Sequence, residues 1–413
     1  MAENTQEEPF PWHLGVFDAH CHPTDTMSSI STIPKMKARV LTVMATRGQD
    51  QQLVSSVAED HYIKSPNPAD WKPEERIIPC WGWHPWFSHQ MYVADEDNSF
   101  QTQEKEGKNL QGEDKIRHYH AVLRSNRATL SDEDRRHFLS FPDPMPLSRY
   151  LAQTRTYLER YPLALVGEIG LDSASRIPVA PDADADADAD AAVTPGGRDG
   201  RRLTPFRTHK AHQKKVFKLQ LQLAAEMGRA VSIHGVQLQG TVFEVLRELY
   251  AGHERKFLSR RERKKRGIDE HGNDEPIVPV PQTSHPHAQP QPRPYPPRIC
   301  LHSYSGTPAD FNMYLNRAIP MEIFVSFSAA VHLGGKQPGF EDMVRFVPDD
   351  MVLVESDLHT AGPEMDDLLE VIVRRVCRVK GWGLEDGVRR LGRNWKRFVF
   401  GEEREGMGTG RSE

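Results

Sequence analysis

Eight short apolar runs recur along the chain, each bounded by turn residues. They are LGVFDAH (14–20), ARVLTVMAT (38–46), RIIPCWGWH (76–84), LALVGEIG (163–170), RAVSIHG (229–235), RICLHSYSG (298–306), MEIFVSFS (321–328) and MVLVESD (351–357). Several are nearly unbroken in hydrophobicity, as parallel strands buried on both faces require. Helical patterns lie between many of them. In 206–228, Val216, Leu219, Leu223 and Met227 recur every three or four residues, and Gly228 is a natural stop. The stretches from Thr241, Thr307 and Pro363 read the same way. Strand alternating with helix eight times predicts an α/β fold of the (β/α)₈ barrel type.

Three stretches interrupt the alternation. Residues at about 88–146 are polar and short of core residues. Residues at about 173–205 contain the acidic repeat DADADADAD. Residues at about 252–297 run from RRERKKR into a proline-rich segment that suits neither helix nor central strand. Without them about 275 residues remain, close to the ~250 of one such barrel. The expectation is therefore a single TIM-barrel domain over 1–400 with long polar or low-complexity insertions, followed by a disordered tail at 401–413. The acidic repeat reads as disordered filler and the proline-rich segment as a linker. RRERKKR reads as a solvated loop, with a nuclear localisation signal as the alternative.

Composition narrows the class. A formal net charge of −5 among 413 residues implies no polyanionic or polycationic partner, so any nucleic-acid contact would be local. The four cysteines form no CxxC pair, which argues against a thiolate zinc site and a disulfide framework. The N-terminal residues lack an apolar core of signal-peptide type, and no apolar run approaches the ~18 residues of a membrane span. The chain reads as soluble, in the cytoplasm or nucleus.

The metal-type ligands fall at strand ends. His20 and His22 follow the first strand, Glu168 the fourth, His234 the fifth, His302 the sixth and Asp357 the eighth. A barrel gathers those ends on one face. Residues i and i+2 of a strand point the same way, so His20 and His22 can project together, with Cys21 turned away. Each residue alone could be a hydrogen-bonded strand terminus or an ion-pair partner. Together, four imidazoles and two carboxylates around one mouth are costly to bury without a metal.

In this order, DAHCH, GWHPW, VGEIGLD, SIHG, LHSYSG and ESD resemble the motif series of the TatD-type metal-dependent hydrolases of the amidohydrolase superfamily, and NWKRFVFG is similar to the family's closing helix. The likeness spans roughly 14–400 and points to a fungal subgroup. It implies a TIM barrel with two divalent ions (Mg, Mn or Zn) and deoxyribonuclease activity. It implies that His20 and His22 bind one ion, Glu168 bridges, His234 and His302 bind the other, and Asp357 completes the set. Glu168 and Asp357 would be catalytic, Asp357 orienting a water and taking its proton.

His84, Trp83 and Tyr304 are candidate contacts to single-stranded DNA, with Trp86 and Phe87 as further stacking candidates. An anaphase-promoting-complex subunit is the protein partner the subgroup suggests. Val236 stands where the family often has arginine, and Leu358-His359 where it reads Ala-Pro, so the substrate wall differs. The competing readings are an amidohydrolase acting on another small substrate, and a metal-binding scaffold with little catalysis.

Overall fold

The computed structural model describes residues 8–94, 106–124, 129–179, 202–257, 293–333 and 339–401. The acidic repeat, the basic run, most of the proline-rich segment and the tail lie outside the described residues.

All eight expected strands form. They are β1 (Phe17–Cys21), β2 (Val40–Ala45), β3 (Ile77–Trp81), β4 (Leu165–Asp172), β5 (Val231–Val236), β6 (Arg298–Leu301), β7 (Glu322–Ser328) and β8 (Val352–Glu355). Each pairs in parallel with the next in chain order, giving an eight-stranded parallel sheet. The sheet curls into a near-closed barrel. The Asp357 N–H donates to the His20 carbonyl (3.0 Å), and the His22 N–H to the Leu358 carbonyl (2.8 Å). Asp18 draws the same two edges together, accepting from the His20 and Ser356 N–H groups, both at 3.0 Å, and from the Ser356 hydroxyl.

Six longer helices follow the apolar periodicity: α1 (Gly48–His61), α2 (Gly112–Val122), α3 (Asp132–Ser140), α4 (Leu147–Arg160), α5 (Lys210–Glu226) and α6 (Gln239–Tyr250). Near the C-terminus come α7 (Phe340–Phe346), α8 (Pro363–Lys380) and α9 (Leu384–Phe400). The expected stop at Gly228 is real: it adopts φ +64°, which glycine tolerates best. The helix expected from Thr307 is one turn, Pro308–Phe311, continuing as a 3₁₀ segment.

Strand parity sorts the core. Leu41, Val43, Val166, Ile233, Val325 and Val354 join the apolar cluster shared with the surrounding helices. Val40, Met44, Cys80, Leu165, Cys300 and Phe324 form a second cluster with Trp395 and Phe398 of α9. The closing helix is thus part of the core. It supplies two large, fully buried aromatic side chains, each stabilising by about 1.5–3 kcal/mol.

The stretch from 88 to 146 carries more core than its polarity suggested. Ile116, Tyr119 and Val122 of α2 pack with Phe138 of α3 and with Phe141, Ile177 and Phe206. The apolar positions are too sparse to dominate composition, but helical spacing brings them onto one face.

Two buried histidines, His89 and His118, and the half-buried His212 join this layer to the loop after β3. His118 faces the His89 carbonyl through Nε2 (2.8 Å) and His212 faces that of Ser88 (2.9 Å). Burial, reinforced by the neighbouring imidazoles, pushes His89 and His118 each down to about 3. The folded state holds them neutral, whereas the unfolded chain protonates them near 6.5. Their contribution is therefore present above about pH 6.5 and is lost as pH falls towards 3. Between pH 7 and 5 each is expected to remove about 1–2 kcal/mol. Urea unfolding at the two pH values checks this, with H118Q expected to lose less stability than wild type. Equal losses in both proteins would contradict it.

Candidate metal centre

The barrel mouth holds a cavity of about 380 Å³ lined by His22, His84, Glu168, His234, His302 and Asp357, with Trp86, Phe87, Val236 and Val331 as its apolar wall. His20 lies beneath, fully buried. The structure therefore brings together all six residues singled out as metal-type ligands, and His84 with them.

Glu168 is the centre of this group. Its Oε1 lies 2.7 Å from His302 Nε2, 2.8 Å from His234 Nδ1 and 3.2 Å from His84 Nε2. Its Oε2 lies 3.5 Å from Nε2 of both His20 and His22. Asp357 Oδ1 stands 3.6 Å from His22 and 3.9 Å from His20. Burial pushes the Glu168 carboxyl up, but the imidazoles of His84, His302 and His20 outweigh it and hold it well below the usual range. Burial likewise opposes the charged form of His22, yet Asp357 and Glu168 raise it to about 9. Among the described residues, three groups have ligand atoms close enough to hold a metal ion: His20–His22–Glu168, His84–Glu168–His234 and His20–His302–Glu355.

Local irregularity aims these side chains. The pairing of β4 with β5 shifts register between Val166 and Ile169. Val166 and Ile169 both join the helix-facing core, and Glu168 between them faces the mouth. A similar shift between Asp18 and Cys21 accompanies the His20–His22 pair, whose Nε2 atoms are 3.1 Å apart. Cys21 does turn away, its thiol near the Thr42 carbonyl. Asp357 adopts φ +56°, a left-handed conformation unusual for a non-glycine residue, where the chain leaves β8.

Two substrate candidates sit elsewhere. Trp83 is buried with Met91, Leu147, Tyr150 and Val216, its indole N–H donating to the Phe87 carbonyl (2.8 Å). Tyr304 packs edge-on against Phe311. Neither lines the cavity; Trp86, Ser303 and Ser305 do. Alternation within GWHPW does not reveal which tryptophan faces the mouth, because the 3₁₀ turn Pro85–Gln90 rotates the chain there.

Residues overlooked in the sequence complete the surroundings. Asp172 faces His234 Nε2 (3.3 Å), Glu355 faces His302 Nδ1 (3.3 Å), and the Ser232 hydroxyl meets His20 Nδ1 (2.9 Å). Arg47 and His359 stand at the rim, His359 paired with Asp25 at 2.6 Å. Asp172 and Glu355 share strand ends with Glu168 and Asp357, so the strand-end criterion applied more fully would have selected both.

The family model for TatD related DNase matches residues 17–399. The chain belongs to this family. The Cut9-interacting protein scn1 of Schizosaccharomyces pombe is 33% identical over 386 residues, covering 93% of this chain and 98% of that protein. The uncharacterized deoxyribonuclease YMR262W of Saccharomyces cerevisiae is 24% identical over 314 residues, covering 73% of this chain and 76% of that protein. A crystal structure of a TatD family hydrolase from Entamoeba histolytica aligns with a TM-score of 0.50 at 10% identity, over 94% of this chain and 99% of that one. That likeness concerns the fold alone. The two yeast relatives agree with the fungal subgroup suggested by the motifs. This TatD-family chain thus combines a hydrolase fold with candidate metal-binding clusters at the barrel mouth. No described helix is long and apolar enough to cross a membrane.

Proposed function

We propose that the protein is a metal-dependent phosphodiesterase acting on DNA, with single strands as substrate and two divalent ions of magnesium, manganese or zinc. The observation that carries this reading is the convergence of five imidazoles on one buried carboxylate, Glu168, at the floor of an open cavity. The donor set is nitrogen and oxygen throughout, which suits these ions. Glu355 Oε2 is buried with no hydrogen-bond partner, as a polar atom in a metal environment would be. His20, His22 and Asp357 would hold one ion, His234 and His302 the other, and Glu168 would bridge them. Bound there, the ions would supply Lewis acidity and lower the pKa of a bound water to near neutrality.

The chain's own groups have separable tasks. Asp357, at the rim, would orient the water and accept its proton. His84 reads as a donor: its Nδ1 accepts the Trp86 backbone N–H (3.1 Å), and burial lowers its pKa to about 4. Neutral with Nδ1 so occupied, it carries its proton on Nε2 and can offer it to Glu168 or a phosphoryl oxygen. Trp86 and Phe87 would pack against a base, with Arg47 and His359 near the backbone phosphates. Trp83 and Tyr304 would support this wall from behind.

The test is cleavage of a short single-stranded oligonucleotide with Mg²⁺, Mn²⁺ or Zn²⁺. Asp357→Asn is expected to lower kcat by about 10²–10⁴-fold. Absence of cleavage by wild type with every ion would sink the reading.

One observation favours a second reading. The Schizosaccharomyces pombe relative, 33% identical over 386 residues and 93% of this chain, is named for interaction with Cut9. In that reading the protein binds a Cut9-like partner, an anaphase-promoting-complex subunit, in the cytoplasm or nucleus. Co-elution of the full chain with the purified Cut9 counterpart tests it, and separate elution would argue against it.

A further inference from the structure

We infer that Asp172 is a positioning residue that makes His234 present Nδ1 to the metal centre, while His20, His22 and His302 present Nε2. This rests on the metal-centre reading above. The Asp172 carboxylate takes four donors. Oδ1 accepts the backbone N–H groups of Ala174 (2.7 Å) and Ser175 (2.8 Å). Oδ2 accepts the indole N–H of Trp86 and faces His234 Nε2 at 3.3 Å. A carboxylate can only accept, so Asp172 keeps a proton on His234 Nε2, just as Glu168, 2.8 Å from Nδ1, favours one there when no ion is bound. An ion held by Glu168 would take the place of the Nδ1 proton, while Asp172 retains the one on Nε2, leaving Nδ1 as the ligating atom.

The other rings are held the opposite way round. His302 offers Nδ1 to Glu355 and Nε2 to Glu168, and His20 offers Nδ1 to Ser232 and Nε2 to Glu168. The anchor opposite each ring thus marks which nitrogen is left to ligate. Asp172 also joins that choice to the substrate wall, because the same oxygen holds Trp86.

The two anchors differ in how they tolerate an amide. In Asp172→Asn the two backbone donors keep Oδ1 in place, so the amide NH₂ occupies the position of Oδ2. It then meets a second donor, the Trp86 indole, and obliges His234 Nε2 to accept. The His234 proton moves to Nδ1, towards Glu168. Glu355 concentrates its bonds on Oε1, which accepts from Ser303 N (2.8 Å) and Ser303 Oγ (2.6 Å) and faces His302, while Oε2 has no partner. Glu355→Gln can keep Oε1 there and place its NH₂ at the unpartnered position.

The experiment is zinc binding by calorimetry and metal analysis on the full chain, with ¹H–¹⁵N histidine spectra of the zinc-loaded wild type. Asp172→Asn is expected to weaken zinc binding by about 10–100-fold, and Glu355→Gln by less. The wild-type spectrum should show His234 ligated through Nδ1 with its proton on Nε2. A loss in Asp172→Asn no larger than in Glu355→Gln overturns the inference. So does ligation through His234 Nε2, a result that stands even if Asp172→Asn fails to fold. Failure of the wild type to bind zinc, manganese or magnesium overturns the metal-centre reading itself.

Discussion

Glu168→Gln is expected to lower phosphodiesterase turnover by about 10³-fold or more. The substitution preserves shape and removes one charge. That charge faces five imidazole nitrogens within 3.5 Å. Glutamine would also point an amide NH₂ at some of these nitrogens, engaging by hydrogen bonds the lone pairs an ion would need. Both effects weaken the grip on a divalent ion, so metal content is expected to fall with turnover. Initial rates on a short single strand at saturating Mn²⁺, alongside metal analysis of the same samples, measure the two together. Wild-type turnover in the variant would remove Glu168 from the chemistry.

Gly170→Ala is expected to destabilise the fold by about 3–5 kcal/mol, beyond what most single substitutions do. A methyl group at residue 170 would lie 2.0 Å from the His234 carbonyl oxygen, 2.8 Å from its carbon and 2.9 Å from its nitrogen. All three are backbone atoms of the neighbouring strand, in register with Gly170, so no rotamer change relieves the clash. Gly170 also has φ +154°, which side-chain-bearing residues rarely adopt. β4 and β5 would have to part where they carry Glu168 and His234, so any folded fraction should bind metal poorly. Denaturant unfolding checks the first effect. A loss below about 1 kcal/mol would mean that the two strands do not pack this closely.

Much of the barrel was legible because its signals are local. Each strand is a short apolar run ended by turn residues, and the same run that buries itself terminates in the polar residue that faces the mouth. The periodic helices ended where glycine allowed it, as at Gly228. The layer built on Tyr119, Phe138 and Phe206 was less legible, since its few apolar residues come from segments separated in sequence. The GWHPW stretch misled for another reason. Trp83 and Trp86 have similar side chains, and only the 3₁₀ turn between strand and helix decides that Trp86 lines the cavity while Trp83 enters the core.

The sequence by itself determined the order of strands and the identity of the six ligand-type residues, because parallel burial and strand-end chemistry leave marks within a few residues. Tertiary structure decided their aim. The register shift beside Glu168 faces it to the mouth between helix-facing neighbours. Closure of β8 on β1 brings Asp357 to His22. Asp172 and Glu355 meet opposite nitrogens of His234 and His302. These outcomes depend on hydrogen bonds between strands distant in sequence, and a ring nitrogen has no preferred partner until such a neighbour arrives.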